Sequence, residues 1–307
     1  MSAPAAPSDP PPAAIIGAGA VGTALAQRLR QAGYEVRAIV SRTAADARAL
    51  AEQVGAPTAS DRVADLPPDV RLVFLCVPDD AISAVAEHLA ATEHSWAQTV
   101  VAHTSGRCTA AALAPLADAA APTLSFHPLQ TFPPGTPPEA FDDIAVAVEG
   151  GDEAVAAGQT LAEALGARPV VLSAADKERY HTAAALASNG LAALMGVVNE
   201  VLDSTSLRGT DAADLFGPLV EQTWENVKAE GGEGALTGPV VRGDQETVAA
   251  HLEALEENTP HLVPLYAALS TEMARLAVRR GRLAPRAARR LFKQLREAVE
   301  SASGPPH

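Results

Sequence analysis

The run Ala13-Ala14-Ile15-Ile16-Gly17-Ala18-Gly19-Ala20-Val21-Gly22-Thr23 joins a short apolar segment to three glycines in the spacing G-x-G-x-x-G. Thr23 to Ala32 then continues at helical spacing. A strand before the glycines and a helix after them is the context that makes this motif a dinucleotide fingerprint. On that reading Gly17 makes the tight turn, Gly19 lets the backbone approach a pyrophosphate, and Gly22 lets helix pack close on strand. Ala20 and Val21 open the helix, where unpaired N–H groups and the positive end of the dipole meet phosphate.

Outward from this motif, Glu35–Val40 reads as a second strand, Thr43–Val54 as a helix, and Asp80–Ala91 as another helix. Leu72-Val-Phe-Leu-Cys-Val77 is continuously apolar, as expected of a central parallel strand covered on both faces. Thr99–Ala102, Thr123–Phe126, Ile144–Val148 and Pro169–Leu172 are further strands, with a helix near Asp152–Leu165. The alternation predicts an α/β fold with a doubly wound parallel sheet. After Ser173 only helices follow, roughly Ala175–Leu202, Asp211–Ala229, Gln245–Glu256, Pro260–Arg279 and Pro285–Ser301. The expected organisation is a disordered tail at 1–12, a dinucleotide-binding domain at 13–173, and an all-helical substrate and dimerisation domain at 174–307, frayed from Ser303 to His307.

Composition narrows the function classes. The chain has 307 residues, 48% hydrophobic and 20% charged, with a formal net charge of -14. That balance argues against a nucleic-acid or anionic-membrane binder, whose affinity comes mainly from cationic groups. Cys76 and Cys108 are too few for a disulfide framework or a four-cysteine metal site, and the eight histidines form no metal motif; a cytoplasmic protein without a metal is expected. Thr182–Val198 is the most apolar stretch, but it is short and contains Ser188 and Asn189, so a buried helix is expected rather than a membrane span. Lysine is rare here: only Lys177, Lys228 and Lys293, against 20 arginines.

The end of the second strand bears on cofactor choice. Where a carboxylate would bind a ribose 2′-hydroxyl, the chain has Ser41, Arg42 and Thr43, with no acid before Asp46. A guanidinium and hydroxyls pair with a 2′-phosphate, so NADP is expected over NAD. The Cys76-Val77-Pro78 loop ends the next strand, and Val77 and Pro78 are expected to pack near the nicotinamide half.

The glycine motif, the Ser41-Arg42 pair, the Val77-Pro78 loop and the helical second half together resemble the superfamily of beta-hydroxyacid dehydrogenases, ketopantoate reductases, pyrroline carboxylate reductases and prephenate dehydrogenases. His103-Thr-Ser-Gly106, Ser125-Phe-His-Pro-Leu-Gln-Thr-Phe132, Lys177-x-x-x-His181 and Gly238-Pro-Val-Val-Arg-Gly-Asp244 resemble more closely a bacterial family with a Rossmann-like first half and a second half of unknown function. The resemblance implies a Rossmann domain followed by an all-α domain like the C-terminal domain of 6-phosphogluconate dehydrogenase.

It also implies roles. His127 before Pro128 resembles the His-Pro of prephenate dehydrogenases, which makes His127 the acid or base and Ser105 its hydrogen-bonding partner. Lys177 and His181 lie four apart on one helix face, with Ser188 back on that face and Asn189 beside it. Ketopantoate reductases and beta-hydroxyacid dehydrogenases have a Lys and an Asn at this spacing, the Lys protonating the carbonyl oxygen. His181 stands at the Asn position here, which leaves Lys177, His181 or a relay of both as proton source. Gln130 and Asn189 are candidate substrate contacts, and Arg242 is placed to clamp a carboxylate bidentately. The expected activity is NADPH-dependent reduction of C=O or C=N in a small carboxylate-bearing substrate, ketopantoate-like, in a homodimer. The alternatives are oxidation with His127 as base, or a redox sensor that binds NADP without turnover.

Overall fold

The computed structural model describes residues 10–302. Expectations for residues 1–9 and 303–307 lie outside the described residues. The chain divides into two compact units, 1–188 and 189–307.

The first unit is built on an eight-stranded sheet. Its elements run β1 (Ala13–Ile16), α1 (Ala20–Gln31), β2 (Val36–Val40), α2 (Ala44–Val54), β3 (Thr58–Ser60), β4 (Leu72–Leu75), α3 (Ile82–Ala90) and β5 (Val100–His103). They continue through α4 (Ala114–Asp118), β6 (Thr123–Pro128), β7 (Ala145–Gly150), α5 (Asp152–Ala164), β8 (Arg168–Val171) and α6 (Lys177–Ala187). The strand order is β3-β2-β1-β4-β5-β6-β7-β8. The order reverses between β1 and β4, and ligands of open α/β sheets bind in the crevice at the carboxyl ends beside such a switch.

Both faces of the sheet are covered, which explains the unbroken apolar runs. Successive side chains of a strand point to opposite faces. Ala13 and Ile15 of β1, with Leu72 and Phe74 of β4, enter the core that includes Leu25, Leu29 and Phe126. Ala14 and Ile16, with Val73 and Leu75, enter the other core with Ile82, Leu89 and Leu113.

The sheet departs from the all-parallel expectation at one junction. β7 pairs antiparallel with β6, and β8 is parallel to β7. A parallel return needs a crossover of a dozen residues or more, usually a helix. Between β6 and β7 the chain carries Pro133, Pro134, Pro137 and Pro138 and forms only a 3-10 turn, Pro138–Phe141. Proline lacks the amide donor a helix needs, so the chain turns straight back. β3, α4 and this reversal are absent from the sequence-based assignment.

The second unit holds α7 (Asn189–Asp203), α8 (Ala212–Ala235), α9 (Pro239–Arg242), α10 (Gln245–Asn258), α11 (Val263–Arg279) and α12 (Pro285–Ala302). Its core joins α9 to α12 through Val241, Val248, Leu252, Val263, Ala274 and Leu291. α8 kinks at Gly231, whose φ is 74°. Asp244 caps α10, as its position before the helix predicts, accepting from the Thr247 N–H at 3.1 Å.

Two expectations about the junction are corrected. The helical chain after Ser173 does not all belong to the second unit, because Lys177 anchors α6 into the sheet unit and the division falls after Ser188. Nor is Thr182–Val198 a buried helix. Within a single chain Leu186, Leu191 and Leu194 are exposed. Ala174–Asp203 is long and apolar enough to cross a membrane, by length and composition alone, and 6% of its apolar window is buried.

Candidate active site

The dinucleotide cradle follows from backbone geometry. Gly17 has φ 111°, and a Cβ there would lie 2.2 Å from the Cys76 carbonyl oxygen. Only glycine allows both this turn and this close approach of the β1 and β4 loops. A Cβ on Gly22 would lie 2.0 Å from the Gly17 carbonyl oxygen, so α1 packs on the turn without space for a side chain. Gly19, the N-cap of α1, faces open space with no atom within 4 Å of a built Cβ. The first N–H groups of α1, from Ala20 and Val21, thus lie beside open space at Gly19. These residues match the needs of a pyrophosphate.

Ser41 follows β2, and its N–H donates to Ser60 O at 3.0 Å across the β2–β3 pair. Arg42 is exposed and, among the described residues, has no ion pair or side-chain hydrogen bond. Thr43 is the N-cap of α2 but makes no side-chain cap bond. Arg42 is therefore not committed to a structural task. Arg62, two residues past β3, is a second exposed guanidinium that sequence reading did not single out. After β4, next to the Gly17 turn, Val77 is half-buried and Pro78 is exposed.

Beyond β5 and β6, the first turns of α6 complete a second cluster. His127, in β6, is 2.9 Å through Nδ1 from the Tyr180 hydroxyl, and the two rings meet edge to face. The His181 ring centroid is 6.2 Å from that of His127. Both imidazoles close on Gly106: a Cβ there would lie 2.6 Å from His181 Nδ1 and 2.8 Å from His127 Nε2. His181 Nδ1 is buried and, among the described residues, has no hydrogen-bond partner. Sequence reading missed Tyr180. The available signal was its position next to His181, three residues from Lys177, on the same turns of helix.

Lys177 differs from its expected place. It is 1% exposed, and its Nζ donates to the Ser125 hydroxyl at 2.6 Å and to the Ser105 carbonyl at 3.1 Å. Buried beneath this loop, the ammonium holds it in place. Burial lowers its pKa, against an opposing attraction from Glu149. Ser105 is not the partner of His127. Its hydroxyl accepts the N–H groups of Arg107 at 3.2 Å and Cys108 at 3.0 Å, which closes the turn.

His103 is structural. Its Nε2 donates to Thr109 O at 3.0 Å, and its Nδ1 accepts the Ser105 N–H at 3.2 Å. Both nitrogens are spent on the neutral ring, and burial pushes its pKa down to about 4. His127 is also pushed down to about 4, first by burial and then by the Lys177 and His181 charges. Burial raises the Tyr180 hydroxyl to about 12. His127 and Tyr180 are thus both uncharged near neutral pH.

Gln130 is exposed beyond β6, and its side-chain oxygen accepts the Thr131 N–H at 2.8 Å. Asn189 and Arg242 belong to the second unit. Asn189 is exposed at the start of α7, and Arg242 is exposed at the end of α9.

Comparison with known proteins agrees with this architecture. Residues 8–128 match the Rossmann-like domain, and residues 144–273 match DUF2520, a domain of unknown function. The second match begins just before β7, so it takes in the reversed end of the sheet as well as helices. No curated protein matches the chain. Among solved structures, a candidate NADP oxidoreductase from Bacteroides fragilis is 25% identical with a TM-score of 0.70, over 87% of this chain and 98% of that one. A protein from Thermotoga maritima is 25% identical with a TM-score of 0.63, over 94% of this chain and 98% of that one. A reductive aminase from Aspergillus terreus, solved with NADPH and ethyl levulinate, shares the fold at 22% identity and a TM-score of 0.57, over 96% and 95% of the two chains.

The fold and its motifs define a Rossmann-like NAD(P)-binding protein with a helical C-terminal region. More particularly, the chain joins that Rossmann-like half to a DUF2520 domain.

Proposed function

We propose that the protein is an NADPH-dependent reductase that adds a hydride and a proton across the C=O or C=N bond of a small carboxylate-bearing substrate. The observation that carries the reading is the Tyr180–His127 hydrogen bond, set at the carboxyl end of the sheet that also bears the glycine cradle. The resemblance to a candidate NADP oxidoreductase and the fold shared with an NADPH-bound reductive aminase support it.

When bound, the reduced nicotinamide supplies the hydride. The chain's own residues manage the proton. With the Tyr180 hydroxyl donating to Nδ1, neutral His127 carries its hydrogen on Nε2. As negative charge develops on the substrate oxygen or nitrogen, Nε2 gives up that proton and Nδ1 takes the one from Tyr180. After product leaves, solvent returns a proton to Nε2 while Nδ1 gives its proton back to the Tyr180 oxygen, which restores the starting tautomer. His127 never becomes an imidazolium, the state that burial and Lys177 disfavour.

Lys177 keeps the Ser105–Gly106 turn against the two imidazoles, and His181 lines the same space. Arg42 answers the 2′-phosphate of NADP. The exposed leucines of α7, with Leu219 and Trp224 of α8, form the contact face of a homodimer.

The test is tight binding of NADPH followed by its oxidation with a panel of cyclic imines and 2-keto acids, ketopantoate among them. Failure to bind NADPH overturns the reading. Binding without turnover of any panel member would transfer it to a redox sensor.

A further inference from the structure

Charge in this acidic chain is strongly segregated. Between Met273 and Arg296 lie nine of its 23 Lys and Arg residues and no Asp or Glu, leaving 14 to offset all 37 acids elsewhere. Two adjoining grooves, of about 590 and 630 Å³, run between α11 and α12 and share Arg275 and Phe292 in their walls. Along α11 they extend from Pro264 to Arg279, which at 1.5 Å per residue is about 20 Å.

The groove floor is apolar and the rim is cationic. Val278, Ala288 and the half-buried Phe292 line one part; Ala267, Leu295 and Val299 line the other. Arg275, Arg279, Arg289 and Arg296 stand along the edges, with one acid, Glu272, beside Arg275; Arg279 pairs with Glu233 of α8. Arg275 and Arg296 are 65% and 69% exposed and pair only with acids of their own helices, and Arg289 has no ion pair among the described residues. Exposed pairs of this kind contribute little and are readily exchanged.

We infer that the α11–α12 groove docks an acidic amphipathic helix of a partner protein, its apolar stripe on Phe292 and its carboxylates on Arg275, Arg289 and Arg296. The length accommodates about four helical turns, and helix-in-groove recognition uses this combination of apolar floor and flanking charge. The remaining surface, with its excess of acids, repels such a helix and so directs it to this face. A nucleic acid would need phosphate-binding cations without an apolar trough between them, and a flat bilayer does not enter a concave groove.

The probe is a fluorescein-labelled synthetic peptide of about 18 residues, with Leu at i, i+3, i+4 and i+7 and Glu on both flanks. Anisotropy with the full chain should give a Kd on the order of micromolar that weakens as salt rises. The double variant Arg275→Glu/Arg289→Glu should weaken binding at least about tenfold, and a scrambled peptide of the same composition should bind about tenfold less tightly than the ordered one. Circular dichroism and NADPH affinity of the double variant should match wild type, which separates this result from the proposed reductase activity. The inference falls if the ordered peptide does not bind, or if the scrambled peptide binds equally well. It falls equally if oligothymidylate of the same charge displaces the peptide at equal affinity, or if charge reversal changes the oligomeric state without peptide, which would give the groove to a second copy.

Discussion

The Tyr180 hydroxyl and His127 Nδ1 are 2.9 Å apart, one on the second turn of α6 and the other near the end of β6. The bond fixes the ring orientation of His127 and, in the proposed reduction, supplies it with a proton while keeping it neutral. Tyr180→Phe keeps the ring and removes only the hydroxyl. Turnover of an accepted substrate should fall by about 10²-fold, within the range for proton-transfer groups, with NADPH affinity unchanged. An unaltered rate would remove Tyr180 from the proton path.

Gly106 marks where the two imidazoles converge. A methyl group there meets His181 Nδ1 at 2.6 Å and His127 Nε2 at 2.8 Å, so the rings must move. Gly106→Ala should lower the unfolding free energy by about 1–3 kcal/mol, as overpacking of a filled site does. Urea unfolding measures this, and a loss below about 0.5 kcal/mol would mean that the rings are free to yield.

Lys177→Met keeps length and removes the charge. The Ser125 hydroxyl and the Ser105 carbonyl then lose their buried donor, at a cost of roughly 1–3 kcal/mol. Because the Lys177 charge helps hold the His127 pKa down, the His127 pKa should rise above about 4 in this variant. Imidazole proton shifts followed by NMR across pH report it. A fall, or no change, would contradict the buried ammonium as a neighbour of His127.

Arg42→Glu replaces a guanidinium that is unpaired among the described residues, beside Ser41, with a carboxylate. The ratio of NADPH to NADH affinity should drop by about 10- to 100-fold, from the loss of a charged contact worth about 1.5–3 kcal/mol. Titration of both coenzymes decides it, and a ratio unchanged by the substitution would mean that Arg42 does not meet the 2′-phosphate.

His103 and His127 give stability a defined pH dependence. Both have folded pKa values near 4, below the unfolded value of about 6.5. Below about pH 6.5 the unfolded chain therefore binds more protons than the folded one. Their stabilising contribution is present above that pH and is lost as pH falls towards about 4, at up to about 1.4 kcal/mol per pH unit for each ring. Urea unfolding at pH 7, 6 and 5 should show the decline, and His103→Asn should make it shallower. Equal stability at the three pH values would contradict the burial of neutral rings.

Much of the first unit was legible because its signals are local. Glycine spacing, an apolar run before it and a helical pattern after it specify the β1–α1 turn, and Gly17 and Gly22 perform the steric tasks their positions foretold. The lack of an acid between Ser41 and Thr43 likewise reads directly from the chain. The reversal at β7 was less visible, though prolines 133, 134, 137 and 138 carry its cause.

The direction of the α6 side chains depended on long-range packing. Helical periodicity placed Lys177 and His181 on one face, but nothing local says which face meets the sheet. The fold turns Lys177 inward to Ser105 and Ser125, separated from it by 72 and 52 residues, and brings Tyr180 to His127 across 53. Sequence by itself determined the nucleotide turn, because backbone sterics act within a few residues. Only the tertiary structure decided which polar groups share a buried space, because burial and hydrogen bonding depend on neighbours brought together by the sheet.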